Sequence, residues 1–403
     1  MPTAMAASPL SVPIYAADLF APDALQNPFD HYRAIRDAGP VVWLSATQVF
    51  ALARFDAVQA ALRRADSMVS GEGVGFNTLF NAPAEHPPVI RRDGEGHRRL
   101  RRLLARPLMS AALRPHREML KALIRSRVDQ LVGQGPFEAV EGLARYLPLE
   151  AVAHLVGLGD ADRSQMLRWA AASFNAIGPL AFDGSDDPAL IADLTVQLEV
   201  RHHLAALDPA TIRPGSWAAS LFDAVDAGDL TLADARAALA GLVLPSLDTT
   251  INAKGNLLHA LATHSDQWRA LKKDPGRIPA AVQESMRFQP VVRWFARVAA
   301  CDYEQDGFVI PAGSRVMLLY GAANRDERHY PEPDRFFIDR NPTDQLGWGT
   351  GPHMCAGLHL ARMEMEVMLE ALVERVDDLA AGDAVKSANR GLYGFERLML
   401  RLD

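Results

Sequence analysis

The sequence predicts a mainly α-helical protein with a small β portion, folded as a single domain over residues 1–403. Most of the chain has apolar residues at helical spacing, and only two segments combine β-branched and aromatic residues with nearby turn signals. No linker, internal repeat or low-complexity segment divides the chain, and its 49% hydrophobic residues are enough for a large core.

The predicted elements follow from these patterns. Strand character is confined to 41–55 and 301–320, whereas helical patterns separated by glycine and proline cover 110–132, 188–207, 231–264, 279–287 and 358–376. The helix over 231–264 would be roughly 50 Å long at about 1.5 Å per residue, which spans a large domain. We therefore expect it to cross the core.

Charge, cysteine content and hydropathy exclude several classes of protein. A formal charge of −7 argues against nucleic acid as the main partner. Cys301 and Cys355 lie in different contexts, so a disulfide framework is not expected and a metal-binding or catalytic thiolate remains open. Since no apolar run reaches membrane-spanning length and residues 1–22 lack signal-peptide features, we predict a cytoplasmic protein without a membrane partner.

A glycine-rich loop at 347–357, Gly-Trp-Gly-Thr-Gly-Pro-His-Met-Cys-Ala-Gly, runs into a predicted helix that begins near Cys355. Glycines allow the backbone to approach a flat ligand, and amides at a helix start can donate to a sulfur and hold it as thiolate. The alternative is an inert cysteine buried in a tight turn. Cys301 has no such loop, and we expect it to be a small core residue.

This loop resembles the signature of the cytochrome P-450 family, Phe-Gly-x-Gly-x-His/Arg-x-Cys-x-Gly, with Trp348 in place of phenylalanine. The resemblance implies the cytochrome P-450 fold, in which haem b lies between a long central helix and the helix after the cysteine loop. It implies a monooxygenase that uses O2 and two electrons, with Cys355 as iron ligand and His353 at a haem propionate. A thiolate ligand favours cleavage of the O–O bond.

Two further motifs resemble parts of the same family. Glu284 and Arg287 are three apart on a helix and can pair, and the segment 333–340 resembles the region that supplies their third partner, here Arg340. His97 and Arg101 are four apart and can point at one anionic group. By resemblance they contact the haem propionates together with a third basic residue, Arg297. Each residue alone would more often be a solvated surface group.

The central helix contains polar residues within an apolar stretch at 241–250. This stretch resembles the family motif Ala/Gly-Gly-x-Asp/Glu-Thr, which makes Asp248 and Thr249 the expected catalytic acid and alcohol that deliver protons to oxygen. The alternative is a hydroxyl bonded back to its own helix and a solvated carboxylate. Pro245 predicts a kink, and Ser246, standing where glycine is usual, could narrow the oxygen groove or add a hydroxyl to it.

Shorter strings resemble the soluble bacterial cytochromes P-450 that demethylate para-methoxybenzoates: 73–75, 174–179, 247–250 and 323–326. Glu72 stands where those enzymes have an arginine that helps hold the substrate carboxylate, so a benzoate would be repelled unless Arg293 replaces that arginine. A salt bridge of Arg293 to another residue is equally open. By position, the expected substrate pocket consists of Phe76, Phe174, Ile177, Leu244, Arg293, Phe295 and Phe395.

The resemblance implies O-demethylation of a methoxyarene, guaiacol-like or methoxybenzoate-like. Hydroxylation of a small terpenoid or alkyl compound is the alternative within catalysis, peroxide-driven chemistry is a third, and a haem gas sensor is a distant alternative outside catalysis. Electrons are expected from NAD(P)H through an external ferredoxin or flavodoxin and its reductase. A basic stretch could dock that donor, or could be a solvated helix face: Arg98, Arg99, Arg102 and Arg106.

Overall fold

The structure is a computed structural model that describes residues 12–157, 163–179 and 187–403. Helices dominate these ranges, as the sequence predicts. The helices are α1 Pro22–Gln26, α2 Phe29–Ala38, α3 Phe55–Arg63, α4 Gly94–Ala105, α5 Ser110–Leu113, α6 Arg117–Leu131, α7 Tyr146–Ala151, α8 Arg163–Asn175, α9 Pro188–Ala206, α10 Trp217–Asp226, α11 Leu232–Thr263, α12 Ser265–Lys273, α13 Ile278–Phe288, α14 Tyr320–Ala323 and α15 Leu358–Arg375.

The strands are short and form small sheets. They are β1 Ile14–Tyr15, β2 Val42–Leu44, β3 Val49–Leu52, β4 Met68–Val69, β5 Phe137–Glu138, β6 Phe295–Ala299, β7 Tyr303–Gln305, β8 Phe308–Ile310, β9 Arg315–Leu318, β10 Leu379–Lys386 and β11 Phe395–Leu402. One sheet has the order β1-β2-β3-β9-β6-β4, a second has β10-β11-β5, and β7 pairs with β8. The mainly α fold class with a small β portion is thereby confirmed.

Helix α11 is the long central helix that the pattern over 231–264 predicts. The Thr231 side chain caps it by accepting a hydrogen bond from the Asp234 amide at 3.0 Å. From Thr250 to Leu261 nearly every residue is buried, whereas the turns before Thr250 include the exposed Pro245. The C-terminal half of α11 therefore crosses the core, and its N-terminal half borders an accessible region.

Two features of the fold differ from the sequence prediction. The helix expected over 110–132 is divided into α5 and α6 by a 3-10 turn at Arg114–His116, because Pro115 has no amide to continue the helical ladder. Strands β10 and β11 were not predicted. The register of β10 shifts between Ala381 and Ala384, around Gly382, and this irregularity weakens the strand pattern in the sequence.

Packing in the described part of the chain involves three hydrophobic clusters. The largest surrounds α11 and α15, and two smaller ones cover the faces of the six-stranded sheet. Phe295 on β6 packs against all three, so this strand lies where the helical and β portions meet. Within the described residues, every helix is too short or too polar to cross a membrane.

Candidate active site

The cysteine loop is held by backbone contacts on both sides. The Cys355 amide donates to the Trp348 carbonyl at 2.8 Å, and the thiol accepts from the amides of Gly357 and Leu358 at the start of α15. Close protein atoms raise the pKa of the Cys355 thiol, and these amides and the charge of Arg101 oppose that rise. Cys355 is exposed and lies three residues before α15 begins.

Glycine is required at two positions of this loop, where it packs against α3 and α13. Gly351 has φ +70°, and a Cβ there would lie 2.5 Å from the Leu62 carbonyl oxygen. Gly347 has a comparable neighbour, since its Cβ would lie 2.7 Å from the Met286 carbonyl oxygen on α13. The loop therefore packs against α3 and α13 more closely than any side chain would allow.

Basic side chains gather beside this loop. His97 on α4 is 4% exposed, its Nε2 has no hydrogen-bond partner within the described structure, and its ring centroid lies 4.2 Å from that of His353. His353 Nε2 is 3.5 Å from Asp93 Oδ1, and Arg101 donates to the Met354 carbonyl. Arg297 is 3% exposed and donates to the Ala296 carbonyl at 2.8 Å, and no described carboxylate pairs with it.

The acid and arginines of the second motif form a network around a fully buried pair, Glu284 and Arg287, with Arg340 partly buried beside it. Arg287 donates to both carboxylate oxygens of Glu284, at 2.7 and 2.8 Å, and neither side chain is exposed. Arg340 Nε donates to the same carboxylate at 3.3 Å, as does the Phe337 amide at 3.0 Å. Three donors converge on one carboxylate, which fixes α13 to the segment before the cysteine loop.

The polar residues of α11 lie on the accessible half of the helix. The Thr249 hydroxyl donates to the Pro245 carbonyl, and the Ser246 hydroxyl donates to the Val243 carbonyl at 2.7 Å. The Ser246 hydroxyl is thus used within the helix. Burial raises the pKa of Asp248 to about 6, and the charge of Arg145 opposes this rise. The helix continues through Pro245, and the predicted kink stays a prediction.

The apolar side chains predicted for the pocket come from five parts of the chain, and four of these parts lie close together. Phe174 and Phe295 have ring centroids 6.4 Å apart, and Leu244 packs against the same cluster. The Phe76 amide donates to the Ile177 carbonyl at 2.8 Å, which ties the loop before α4 to the segment after α8. Two glycines allow this closeness: a Cβ on Gly75 or Gly391 would lie 2.8 or 2.5 Å from the carbonyl oxygens of Ile177 and Phe174, respectively.

Three of the predicted pocket residues make close contacts with other parts of the chain. The Phe76 ring stacks on Trp294, with centroids 4.4 Å apart, and Phe395 packs against His259 on the buried half of α11, at 4.6 Å. Sequence reasoning did not place Leu392, which is 1% exposed, forms a β-bridge with Val292 and borders Gly391. The weak pattern of the β10–β11 hairpin gave no signal that would have placed it.

Arg293, the third of these, does not present a cation to a ligand. It is 3% exposed, donates to the carbonyls of Leu25 and Leu392 at 2.5 and 2.7 Å, and lies over the Tyr393 ring. Both alternatives for Arg293 required a carboxylate partner, either on the substrate or on another residue. The structure shows backbone carbonyls as its hydrogen-bond partners instead. Glu72 is exposed, and its backbone carbonyl accepts from Arg315.

Cys301 and the basic stretch of α4 complete the predicted residues. Cys301 is exposed at the bend between β6 and β7, so the expectation that it is a core residue was wrong. Arg98 pairs with Glu95 at 2.8 Å and Arg99 donates to the Asp229 carbonyl, whereas Arg102 and Arg106 are exposed. Half of the stretch is thus engaged within the protein.

Comparison with known proteins decides the family. The cytochrome P-450 family model matches residues 191–378. Cytochrome p450 CYP199A2 of Rhodopseudomonas palustris is 31% identical over 97% of this chain and 95% of its own length. The chain belongs to the cytochrome P-450 family. It is therefore a monooxygenase that binds haem b, uses O2 and takes electrons from redox partners.

Other members of the family are similar over nearly the whole chain. Beta-dihydromenaquinone-9 omega-hydroxylase of Mycobacterium bovis is 30% identical over 94% of this chain and 77% of its own. The crystal structure of Mycobacterium smegmatis CYP164A2 matches with a TM-score of 0.86 at 27% identity, covering 95% of this chain and 98% of that one. The cytochrome P-450 fold is thereby confirmed.

The residues present fit a haem with two propionates. His97 has a buried ring nitrogen without a described partner, and Arg297 is a buried cation without a described carboxylate. Both features suit an anionic group between α4 and β6, because buried polar atoms and charges require partners. The accessible Cys355 sulfur, with two amide donors behind it, suits a metal–thiolate bond.

Proposed function

We propose that this cytochrome P-450 removes the methyl group of a small, neutral methoxyarene such as a guaiacol-like compound. The observation that carries the proposal is the set of contacts made by the Arg293 side chain. Its guanidinium is used by two backbone carbonyls, and Glu72 stands where the para-methoxybenzoate demethylases have arginine. Phe174, Phe295 and Leu244 offer apolar contacts to an aromatic substrate, whereas the Arg293 guanidinium is already bound and is not free to pair with a carboxylate.

We further propose roles for the residues around the haem. Cys355 is the proximal ligand of the iron, and four basic residues contact the propionates: His97, Arg101, Arg297 and His353. The network of Glu284, Arg287 and Arg340 stabilises the fold on the thiolate side. Support comes from the exposed Cys355, from the His97 Nε2 that has no hydrogen-bond partner among the described residues, and from Arg297, which no described carboxylate pairs with.

When bound, haem supplies the activation of O2 with two electrons from outside the chain. Asp248 is the proposed proton source, because its raised pKa of about 6 keeps the carboxyl protonated at a higher pH than an ordinary aspartate. The Thr249 hydroxyl donates to the Pro245 carbonyl and passes a proton onward after rotating away from it. The surrounding apolar side chains exclude water from the substrate.

The reaction balances without a further co-reactant. One oxygen atom of O2 enters a C–H bond of the methoxy group, and the other leaves as water with two electrons and two protons. The resulting hemiacetal breaks into a phenol and formaldehyde. The electrons are proposed to come from NAD(P)H through a ferredoxin or flavodoxin and its reductase, which dock near the exposed Arg102 and Arg106.

The test compares substrates that differ only in charge. Guaiacol and 4-methoxybenzoate are titrated into the holoenzyme, and formaldehyde is measured per NADH oxidised with a surrogate ferredoxin and reductase. We expect a high-spin shift and about one formaldehyde per coupled turnover with guaiacol, and at least about tenfold weaker binding of the benzoate. Tighter binding of the benzoate would contradict the neutral pocket.

A charge reversal sharpens this test. Glu72→Arg restores the arginine of the benzoate demethylases and should strengthen benzoate binding without changing guaiacol binding. Glu85→Arg is the matched control, since Glu85 is 91% exposed in the same loop and undergoes the same charge change. Equal gains in both variants would mean that net charge alone attracts the benzoate.

Hydroxylation of a terpenoid or alkyl chain is the second candidate. The favouring observation is that one relative, at 30% identity, carries the name of an omega-hydroxylase. A panel of terpenes and alkyl compounds in the same assay separates the two reactions. A hydroxylated product that retains every carbon, formed without formaldehyde, would favour hydroxylation.

A further inference from the structure

A fully buried ion pair joins the two helices that flank the site. Lys254 on α11 donates from Nζ to Glu364 Oε2 on α15 at 2.5 Å, and the two side chains are 0% and 2% exposed. Lys254 comes five residues after Thr249, and Glu364 comes nine residues after Cys355. The pair therefore links the helix of the proposed proton relay to the helix that begins at the cysteine loop.

The surroundings of the pair make it an expensive way to hold two helices together. Leu257 and Leu258 on α11 and Met363 and Met365 on α15 belong to the same large hydrophobic cluster. Well-packed apolar side chains of similar volume often stabilise such a position as well as an ion pair does, or better. Apolar contacts are non-directional, so apolar side chains can slide past one another. A short hydrogen bond is directional and fixes the relative position of its two partners.

The position of the ion pair along α11 indicates what this directional contact does. Pro245 has no amide, so the ladder of backbone hydrogen bonds is interrupted one turn before Thr249. The turns before Thr249 are partly accessible, whereas residues 250–258 are all buried. Thr249 therefore lies at the junction of a partly accessible half and a buried half of α11, and the buried half is the one that the ion pair joins to α15.

We propose that Lys254 and Glu364 are positioning residues that fix the register of α11 against α15 and thereby align Thr249 for proton delivery. The inference rests on the roles proposed above for Asp248 and Thr249. Neither side chain is required to touch substrate or cofactor. Loss of the pair should lower the fraction of electrons that reach product and leave the thiolate ligand intact.

The pKa shifts of Lys254 and Glu364 determine which variants are suitable for a test. Burial lowers the pKa of Lys254 and raises that of Glu364, and only their mutual attraction opposes these shifts. A lone partner is therefore inclined to become neutral instead of remaining as a buried charge. The double variant Lys254→Met with Glu364→Leu avoids even that difficulty, since it leaves an apolar pair of similar volume.

The experiment measures coupling, that is, product formed per NADH oxidised, in the holoenzyme with the panel compound that turns over fastest. We expect the double variant to keep the melting temperature and the carbon monoxide difference spectrum of the wild type, and to lose coupling by at least about threefold. The lost electrons should appear as hydrogen peroxide. The variant Lys254→Arg with Glu364→Asp, which keeps a charged pair of similar total length, should regain most of the coupling.

Two controls separate the possible failures. Arg117→Met removes a pair with Glu370 that also lies on α15 but joins it to α6, so it should leave coupling unchanged. Wild-type coupling in the apolar double variant, or an altered carbon monoxide spectrum, would overturn the inference. Thr249→Ala distinguishes its failure from that of the relay: if Thr249→Ala is itself fully coupled, the relay roles are wrong and the inference falls with them.

Discussion

The thiolate side and the substrate side of this site are built from different interactions. On the thiolate side, the fully buried Glu284 carboxylate accepts hydrogen bonds from Arg287, Arg340 and a backbone amide. On the substrate side, Phe174, Phe295 and Leu244 contribute only shape, and the cation nearby is used by carbonyls. The chemistry is thus held by directional bonds and the choice of substrate by packing.

The difference teaches where a family resemblance is informative. A polar network needs particular residue types at particular positions, so its members can be read from a sequence. An apolar wall accepts many side chains of similar volume, so it identifies a substrate class only when a charged group is fixed within it. In the function proposed above, Glu72 in place of arginine is the exchange that changes the expected substrate class.

The largest effect should come from the thiolate itself. Cys355→Ser keeps the size of the side chain but replaces the sulfur, so the absorption band of carbon monoxide bound to a ferrous haem thiolate should disappear. We expect monooxygenase activity to fall at least about a hundredfold, because the electron-donating ligand is lost. Cys301→Ser is the control and should change neither, since Cys301 is exposed at a distant bend. Retention of the band in Cys355→Ser would remove this residue as ligand.

Breaking the buried network should be the next largest effect. Glu284→Gln leaves Arg287 as an uncompensated buried charge, which costs about 3–5 kcal/mol and should lower the melting temperature by about 5–10 °C with loss of haem. Glu370→Gln is the matched change on a partly exposed pair and should cost less than about 1 kcal/mol. Thermal unfolding followed at the haem absorption band measures both. Equal losses would mean that the network is no more than an ordinary surface pair.

On the substrate side, removing a hydroxyl should uncouple the enzyme without unfolding it. Thr249→Ala should lower product per NADH about tenfold and raise hydrogen peroxide, since general acid catalysis contributes at least that much. Thr250→Ala removes the neighbouring hydroxyl on the buried face of α11 and should keep the wild-type coupling. A gas sensor would need neither hydroxyl, so an indifferent Thr249→Ala would favour that alternative.

The smallest effect should be a pH dependence of coupling. The pKa of Asp248 is about 6, so its carboxyl is protonated below that pH and loses its proton as the pH rises through it. Coupled turnover limited by this proton should fall about fivefold between pH 6 and pH 7, as the protonated fraction of the carboxyl falls. The Asp248→Asn variant should turn over more slowly, and its coupled turnover should not change with pH. Asp226→Asn, on the exposed face of α10, is the control and should keep the wild-type profile.

Much of the fold could be predicted because its longest elements have strong periodicity. Helix α11 was expected over 231–264 and runs over Leu232–Thr263, and α15 was expected over 358–376 and runs over Leu358–Arg375. The β10–β11 hairpin was missed, because Gly382 and a shifted register break the alternation of apolar and polar residues. Short elements of this kind depend on contacts that no local pattern encodes.

The candidate site divides in the same way. Motif residues such as Cys355, Glu284 and Arg287 could be located from the sequence, since their chemistry requires fixed residue types. The orientation of Phe76, Phe395 and Arg293 could not, because Trp294, His259 and the carbonyl of Leu392 compete for them from distant parts of the chain. Each of these side chains contacts a group that lies far from it in the sequence.

The two glycines in the pocket wall limit how this enzyme can be re-engineered. Gly75 and Gly391 each face a backbone carbonyl oxygen, at distances of 2.8 and 2.5 Å from an added Cβ, and backbone atoms cannot move aside as a flexible side chain does. Saturation libraries at these two positions should therefore yield mostly misfolded protein. Diversity is better placed at Phe174, Leu244 and Phe295, where an exchange alters cavity volume and leaves the main chain of the wall untouched.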